Sequence, residues 1–437
     1  MRVLFTFFPY ASHLYPLVPL ARALREAGHE VAVASATEEQ QTIVGAGLRP
    51  VDLGSKAQWR DTPRWADSPL WRRQEERLRE ITALLSLPEP DATHWSFVRR
   101  QFLPVQAYYF TPDRREGGPP MVQALVEFAR SWRPDLVVWD FTVPTAAVAA
   151  HACGAAHARF TWGLDYLGWA AEQFVSWRRE LGPGLGQDPQ VALATAAAAR
   201  FGLAYTRDMV LGQWTIEATA ADIQLPLQTG RLKVRHVPYS NDGPVPEGVT
   251  GPRRRPRVCL SVDADDGAGE PLFAGSALFD VVAALGRGPD MEVVVPLAPE
   301  RLGGEAALPR HVRALSYVPF DRLLPTCSAL VHYGGVGSFA AAVAHGVPQV
   351  IVPRDLGNGD ALLEHLRASG AGTGVSEAHC TPELLRTLVG QVLEDPSFRA
   401  GAGRLREAMA AAPAPHAIVP ALEELTRRHR PPAPAPL

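Results

Sequence analysis

The chain has 437 residues, more than one hydrophobic core usually organises, so two domains are the default expectation. Its formal net charge of -3 gives no long-range field suited to a polyanion, which sets nucleic acid aside as a partner; the apolar fraction of 46% is that of an ordinary globular protein. Cys153, Cys259, Cys327 and Cys380 lie far apart, with no C-x-x-C pair and no zinc-ligand spacing, so reduced, buried, inert thiols are expected.

In chain order, Arg2 to Phe8 is a short apolar run that reads as a strand, and Leu17, Leu20, Ala21 and Leu24 follow at helical spacing until Gly28. His29 to Ser35 is again a buried-strand pattern, completing a strand–helix–strand unit of a parallel sheet. No signal-peptide layout precedes this start, and no apolar run approaches the roughly 20 residues that span a bilayer, so a soluble cytoplasmic protein with no membrane association is expected. Residues 56 to 115, rich in Trp, Arg and Pro with broken helical patterning, read as an insertion of helices and loops. A second unit follows: strand Pro134 to Asp140, helix Pro144 to Ala152, strand Ala156 to Trp162.

From about Leu225 to Pro256 the pattern degrades into Pro, Gly and charge, which is linker composition, and the basic cluster Arg253, Arg254, Arg255 and Arg257 reads as a solvated part of it. Alternation then resumes with strand Arg257 to Asp263, helix Leu272 to Leu285, and strands at Met291 to Leu297, Val312 to Val318, Leu330 to Tyr333 and Gln349 to Val352. Helices at Thr381 to Glu394, Ser397 to Ala410 and Ala417 to Arg428 follow, and the Pro-rich tail 431–437 is expected to be disordered. The expected architecture is α/β, two Rossmann-like domains facing each other across a cleft. Residues 1–225 form the first, 226–256 link it to the second at 257–412, and 413–430 supply a helix that packs back on the first.

The stretch most informative about chemistry is Leu330-Val-His-Tyr-Gly-Gly-Val-Gly-Ser338, a strand that ends in glycines and opens the helix Ser338 to His345. Glycines let backbone approach a diphosphate closely, and the free amides and dipole of the helix terminus stabilise its charge. Alone, such a turn is as consistent with tight packing as with ligand binding. Its surroundings are more specific. Ala329 to Ser338 followed by His345-Gly-Val-Pro-Gln-Val-Ile-Val-Pro353 resembles the donor-binding signature of antibiotic glycosyltransferases with the GT-B fold. Ser131 to Asp140, Ala155 to Gly163, Gly212-Gln-Trp-Thr-Ile216, Pro319-Phe-Asp-Arg-Leu-Leu-Pro325 and Ala417 to Leu425 resemble the actinobacterial branch that attaches deoxysugars to macrolides and anthracycline-like polyketides.

That resemblance implies an inverting transfer of a deoxysugar from a nucleoside diphosphate, dTDP by expectation, to a polyketide-type aglycone, with no cofactor beyond this co-substrate and no metal. It places the general base at His13, where an alcohol must lose its proton as it attacks the anomeric carbon and an imidazole suits the task at neutral pH. Asp140 matches the acid that orients such a histidine; its alternative role is to cap the following helix. On the donor side the resemblance assigns Val318 and Pro319 to the nucleotide base, His332, Tyr333, Gly334, Gly335, Val336, Gly337 and Ser338 to the diphosphate, and Asn358 and Asp360 to the sugar. Phe8, Tyr10, Trp162, Tyr166 and Trp169, on or after strand ends, are the expected aromatic wall for the aglycone.

Three positions depart from the family pattern. Tyr333 stands where a phosphate-binding histidine is usual, Gly357 where an acidic residue usually binds the sugar, and Asp263 where a glycine usually follows the strand. Asp263-Ala-Asp-Asp266 mimics a D-x-D metal motif in the wrong setting. Two functions of different class follow: an active transferase, favoured by His13 and Asp140, and a catalytically weak homologue serving as an auxiliary subunit, favoured by the three departures. The resemblance also implies a cytochrome-P450-like auxiliary protein docking on the first domain, with Asp91 to Phe97 through Tyr108-Tyr-Phe110 as its segment or as a lid over the acceptor, and it leaves room for a homodimer.

Overall fold

The computed structural model describes residues 1–56, 69–110, 121–220, 223–240, 255–262, 276–287, 291–354 and 358–430, with positions 243, 245, 246, 249 and 273. The chain divides into two compact units. The first takes Met1–Ala218, Gln224–Val234 and the chain from Pro413; the second takes Thr219–Ile223 and Arg235–Ala412.

Unit 1 is built on a seven-stranded sheet of β1 (Arg2–Thr6), β2 (Glu30–Ser35), β3 (Arg49–Asp52), β4 (Leu136–Asp140), β5 (Ala156–Thr161), β6 (Trp214–Glu217) and β7 (Arg231–Lys233), in the order β3-β2-β1-β4-β5-β6-β7. Every pairing is parallel. Parallel strands are covered on both faces, which is why β1, β2, β4 and β5 are near-continuous runs of buried residues. The helix Val18–Glu26 turns Leu20, Ala21 and Leu24 into the core, and Gly28, at φ 87°, takes the left-handed conformation that ends it.

Unit 2 repeats the plan with β8 (Arg257–Leu260), β9 (Glu292–Val295), β10 (Val312–Ala314), β11 (Ala329–His332), β12 (Gln349–Ile351) and β13 (Gly372–Gly374), in the order β10-β9-β8-β11-β12-β13. Its pairings are parallel too. Both units are therefore Rossmann-like, and in each the strand order reverses beside the first strand, at β1/β4 and at β8/β11. Open parallel sheets bind ligands at the carboxyl ends of strands flanking such a reversal.

The insertion contains the helices Pro69–Leu84, Asp91–Phe97 and Leu103–Phe110. Trp95 and Phe97 are buried, with ring centroids 5.6 Å from Trp177 and 4.8 Å from Tyr166, so Asp91–Phe97 is sewn to the helix Tyr166–Leu181. The last helix, Val419–His429, belongs to unit 1: Glu423 pairs with His29 at 3.0 Å, His429 lies 5.3 Å from the Trp214 ring, and Arg430 pairs with Asp135. No helix of the described residues is long and apolar enough to cross a membrane.

Several expectations change. The segment 226–256 read as linker carries β7, which extends the first sheet. Arg257 is not a solvated linker residue: it is the buried first residue of β8, paired with Glu292 at 3.0 Å and donating to Thr326 at 2.7 Å. Of the cysteines, Cys259 and Cys327 are buried but Cys153 and Cys380 are half-exposed, and all four are free thiols. Burial pushes the Cys380 thiol up to about 11, so it remains protonated at neutral pH. The tail 431–437 and Asp263 to Asp266 lie outside the described residues.

Candidate active site

β1 and β4 are neighbours in register, Thr6 opposite Trp139, although 127 residues separate His13 from Asp140. The chain leaves β1 through Phe7 to Tyr10 and makes one turn of helix, Ala11–Leu14, that carries His13; Asp140 is the last residue of β4. The two side chains meet at 2.7 Å between Nδ1 and Oδ2. A carboxylate accepts from an imidazole, so the ring proton is on Nδ1 and Nε2 keeps its lone pair. Nε2 has no hydrogen-bond partner among the described residues, and the His13 side chain is 18% exposed while Asp140 is fully buried.

Asp140 is held by three further donors. Oδ1 accepts from the Thr142 N–H at 2.9 Å and the Thr142 hydroxyl at 2.7 Å; Oδ2 also accepts from Trp162 Nε1 at 3.3 Å. The alternative role of capping the next helix is not the one it takes: the helix Thr145–Cys153 starts after Pro144 with no side-chain cap. Thr142 escaped sequence inspection, yet D-x-T after a strand is the spacing at which an aspartate closes a turn on the amide two residues on.

Around His13 stand Phe8, 5.0 Å between ring centroids, and Trp162, 4.9 Å away and nearly perpendicular. Tyr10 stacks on Phe8 at 5.1 Å. Its other neighbour is the Lys56 ammonium, 4.7 Å from the ring, which is itself tied to Glu39 and to the Pro9 carbonyl. Phe8 and Trp162 border the imidazole, Tyr10 reaches it only through Phe8, and all three are half-buried. Tyr166 and Trp169 do not: both are fully buried, enclosed by His94, Phe97 and Trp177. The signal was present, because Tyr166, Trp169, Ala170, Phe174 and Trp177 repeat at helical spacing and mark a packed face.

In unit 2 the glycine turn follows β11. Gly334 has φ 93°, and a Cβ there would stand 2.6 Å from the Gly359 Cα. Only glycine fits, because the conformation is left-handed and the start of the helix Asn358–Ser369 presses on the turn. The helix Val336–His345 then begins at Gly335, and among the described residues no side chain caps its first-turn amides. Gly334→Ala should cost about 2 kcal/mol of stability or more, read as a lower Tm, with a weaker dTDP titration by calorimetry.

His332 serves this turn from inside rather than as a ligand contact. It is fully buried; Nδ1 accepts from the Gly334 N–H at 3.2 Å, which fixes the ring proton on Nε2, donated to Gln349 at 2.9 Å. Burial pushes the imidazole down to about 4. The unfolded chain therefore binds a proton that the fold refuses between about pH 6.5 and 4, so stability falls as pH is lowered through that window, by on the order of 3 kcal/mol. Urea titrations at pH 7, 6 and 4.5 should show this loss, reduced in His332→Gln.

Val318 likewise sits in the core, packed with Leu323, Leu324 and Leu330, so its side chain is not a surface for a nucleotide base; Pro319 is buried beside it. Tyr333 is half-buried and packs on the β8–β9 core, with its phenol oxygen 2.8 Å from where a Gly335 Cβ would be. Val336, Ser338 and Asn358 are half-buried, Gly337 and Asp360 exposed. Gly357 lies outside the described residues.

A cluster of metal-ligating residue types, His151, His157 and Asp208, lies near the amino end of β5, away from Asp140. Asp208 Oδ2 is 3.2 Å from His151 Nε2 and 3.3 Å from His157 Nε2. Trp139 Nε1 donates to His157 Nδ1 at 3.3 Å, so the proton of the neutral ring is on Nε2, where a cation would need a bare lone pair. Desolvation pushes the Asp208 carboxyl up, but the bonds from both histidines outweigh it and hold the group well below the carboxylate range. The arrangement is a close contact of two imidazoles with one carboxylate that braces helix against sheet.

Comparison with known proteins gives the chain's relatives. Residues 88–263 match the model for the N-terminal domain of erythromycin biosynthesis protein CIII-like proteins, and residues 278–425 that for their C-terminal domain. The chain is 35% identical to the aclacinomycin-T 2-deoxy-L-fucose transferase of Streptomyces galilaeus, over 98% of this chain and 97% of that one. It is 36% identical to the 10-deoxymethynolide desosaminyltransferase of Streptomyces venezuelae over 100% of both. The crystal structure of glycosyltransferase VinC in complex with dTDP superposes with a TM-score of 0.82 at 31% identity, covering 98% of this chain and 100% of VinC. Two Rossmann-like units and these relationships place the chain in the erythromycin biosynthesis protein CIII-like family, and the protein is a GT-B-type glycosyltransferase.

Proposed function

We propose that the protein transfers a deoxysugar from a dTDP-linked donor to a hydroxyl of a polyketide-type aglycone, with inversion at the anomeric carbon. The observation that carries this is the 2.7 Å His13–Asp140 contact, which leaves Nε2 of a partly exposed imidazole as a proton acceptor among aromatic rings. The acceptor hydroxyl gives its proton to Nε2 as its oxygen bonds to the anomeric carbon; the bond to the diphosphate breaks, and dTDP leaves with the electron pair. Asp140 stabilises the imidazolium that results. The first-turn amides of Val336–His345 suit the charge developing on the leaving diphosphate, so no metal or other cofactor enters this scheme. Phe8 and Tyr10 offer the apolar border an aglycone needs.

The relatives named as a 2-deoxy-L-fucose transferase and a desosaminyltransferase support the deoxysugar, and VinC with bound dTDP supports the nucleotide. Incubation with a panel of dTDP-deoxysugars and macrolide or anthracycline-type aglycones, read by mass, tests it: a product heavier by one deoxysugar residue is expected. The second function, a weak homologue acting as an auxiliary subunit, is favoured by Tyr333, whose phenol stands against Gly335. Calorimetric titration with dTDP separates the two, since absence of binding selects the auxiliary role. A cytochrome-P450-like helper is part of the proposal, tested by activity that requires its co-expression; sedimentation tests the homodimer.

A further inference from the structure

We propose that Trp162 is a positioning residue for the transfer, acting through Asp140 on His13, rather than part of the aglycone's wall. This rests on His13 being the general base. Trp162 stands one residue past β5, and β5 pairs with β4 so that Phe160 lies opposite Asp140. The register brings the indole over the end of β4. There its Nε1–H, a group that only donates, reaches Oδ2 of Asp140 at 3.3 Å, the same oxygen that takes the His13 Nδ1–H at 2.7 Å. The indole also stands nearly perpendicular to the imidazole, at 4.9 Å, and Phe141 packs on its other side at 5.8 Å.

The division of labour follows from the donors. Thr142 holds Oδ1 through its amide and hydroxyl, and Trp162 holds Oδ2. A carboxylate gripped at one oxygen alone turns about its Cβ–Cγ bond; gripped at both, it presents one fixed direction to Nδ1. The imidazole is thereby constrained twice, through its hydrogen bond and through its ring contact with the same indole. Base catalysis depends on the Nε2 lone pair keeping a set line, and small misplacements cost on the order of a hundredfold in rate.

Trp162→Phe keeps a ring against His13 and removes the N–H. With a donor and aglycone pair active in the panel above, kcat should fall on the order of ten- to a hundredfold with the acceptor KM within twofold of the unaltered protein. In the protein without substrate, labelled with 15N-histidine, the downfield Nδ1 proton resonance of His13 should move. A kcat within twofold of the unaltered protein, a loss carried by KM, or an unmoved resonance would each overturn the proposal. His13→Ala, run alongside, tests the underlying function: if that variant keeps its activity, the base assignment fails, whereas an inactive His13→Ala with an unaffected Trp162→Phe removes only the role of Trp162.

Discussion

His13→Ala lowers kcat/KM about 10²- to 10⁴-fold, the contribution expected of a positioned general base, while dTDP binding measured by calorimetry is unchanged. The alanine variant leaves Asp140 with Thr142 and Trp162 still donating to it, so the fold should survive and the loss is one of chemistry. Asp140→Asn is expected to be nearly as severe, for a reason the donors dictate. One oxygen faces the Thr142 amide and the other the Trp162 indole, and neither of these N–H groups accepts. Whichever way an asparagine amide turns, its NH2 meets a donor, so the residue is driven out of line and His13 loses its fixed tautomer. Activity of either variant within tenfold of the unaltered protein, with thermal unfolding confirming that it is folded, would remove the dyad from the mechanism.

Asp165→Ala has the largest expected effect on stability, about 3–5 kcal/mol, read by urea denaturation at pH 7. Arg159 and Asp165 are each about 1% exposed and form a two-pronged pair, with the second guanidinium nitrogen also 3.2 Å from Thr215. Deleting the carboxylate strands a guanidinium without water or counter-charge. It also removes the cap of the helix Tyr166–Leu181, where Asp165 accepts from the Gly168 amide at 2.8 Å. Because buried pairs offset their own desolvation poorly, Arg159→Met with Asp165→Ala should recover much of what Asp165→Ala loses. A double variant no more stable than Asp165→Ala would count against the pair as the cause.

Much of this was legible in the residues. The buried runs of β1, β2, β4, β5 and β8 announce parallel strands, and the glycine turn after β11 and the histidine after β1 stand where strand ends put them, as read from the residues alone. What stayed hidden has physical causes. β13 is Gly-Thr-Gly, without any strand-forming signal at its ends, because Cβ atoms at Gly372 and Gly374 would run into the Gln349 and Ile351 carbonyl oxygens of β12. β7 is Arg-Leu-Lys at the sheet edge, where polar residues are the natural choice. The role of His332 depends on Gln349 in the next strand, a partner that no local pattern announces. Tyr166 and Trp169 follow a strand end, which points toward a ligand, but their helical spacing is the stronger clue and marks burial.

The return of the chain to unit 1 for its final helix has a bearing on how the protein is made. Glu423 and Arg430 close on His29 and Asp135, contacts that do not exist until the chain through Arg430 has left the ribosome. Unit 2 ends at Ala412 and so has all its residues earlier. Domains fold as units during synthesis, usually the amino-terminal one first. Here the half that begins first is the last to be sealed, and its nascent sheet waits with the bed of its closing helix uncovered.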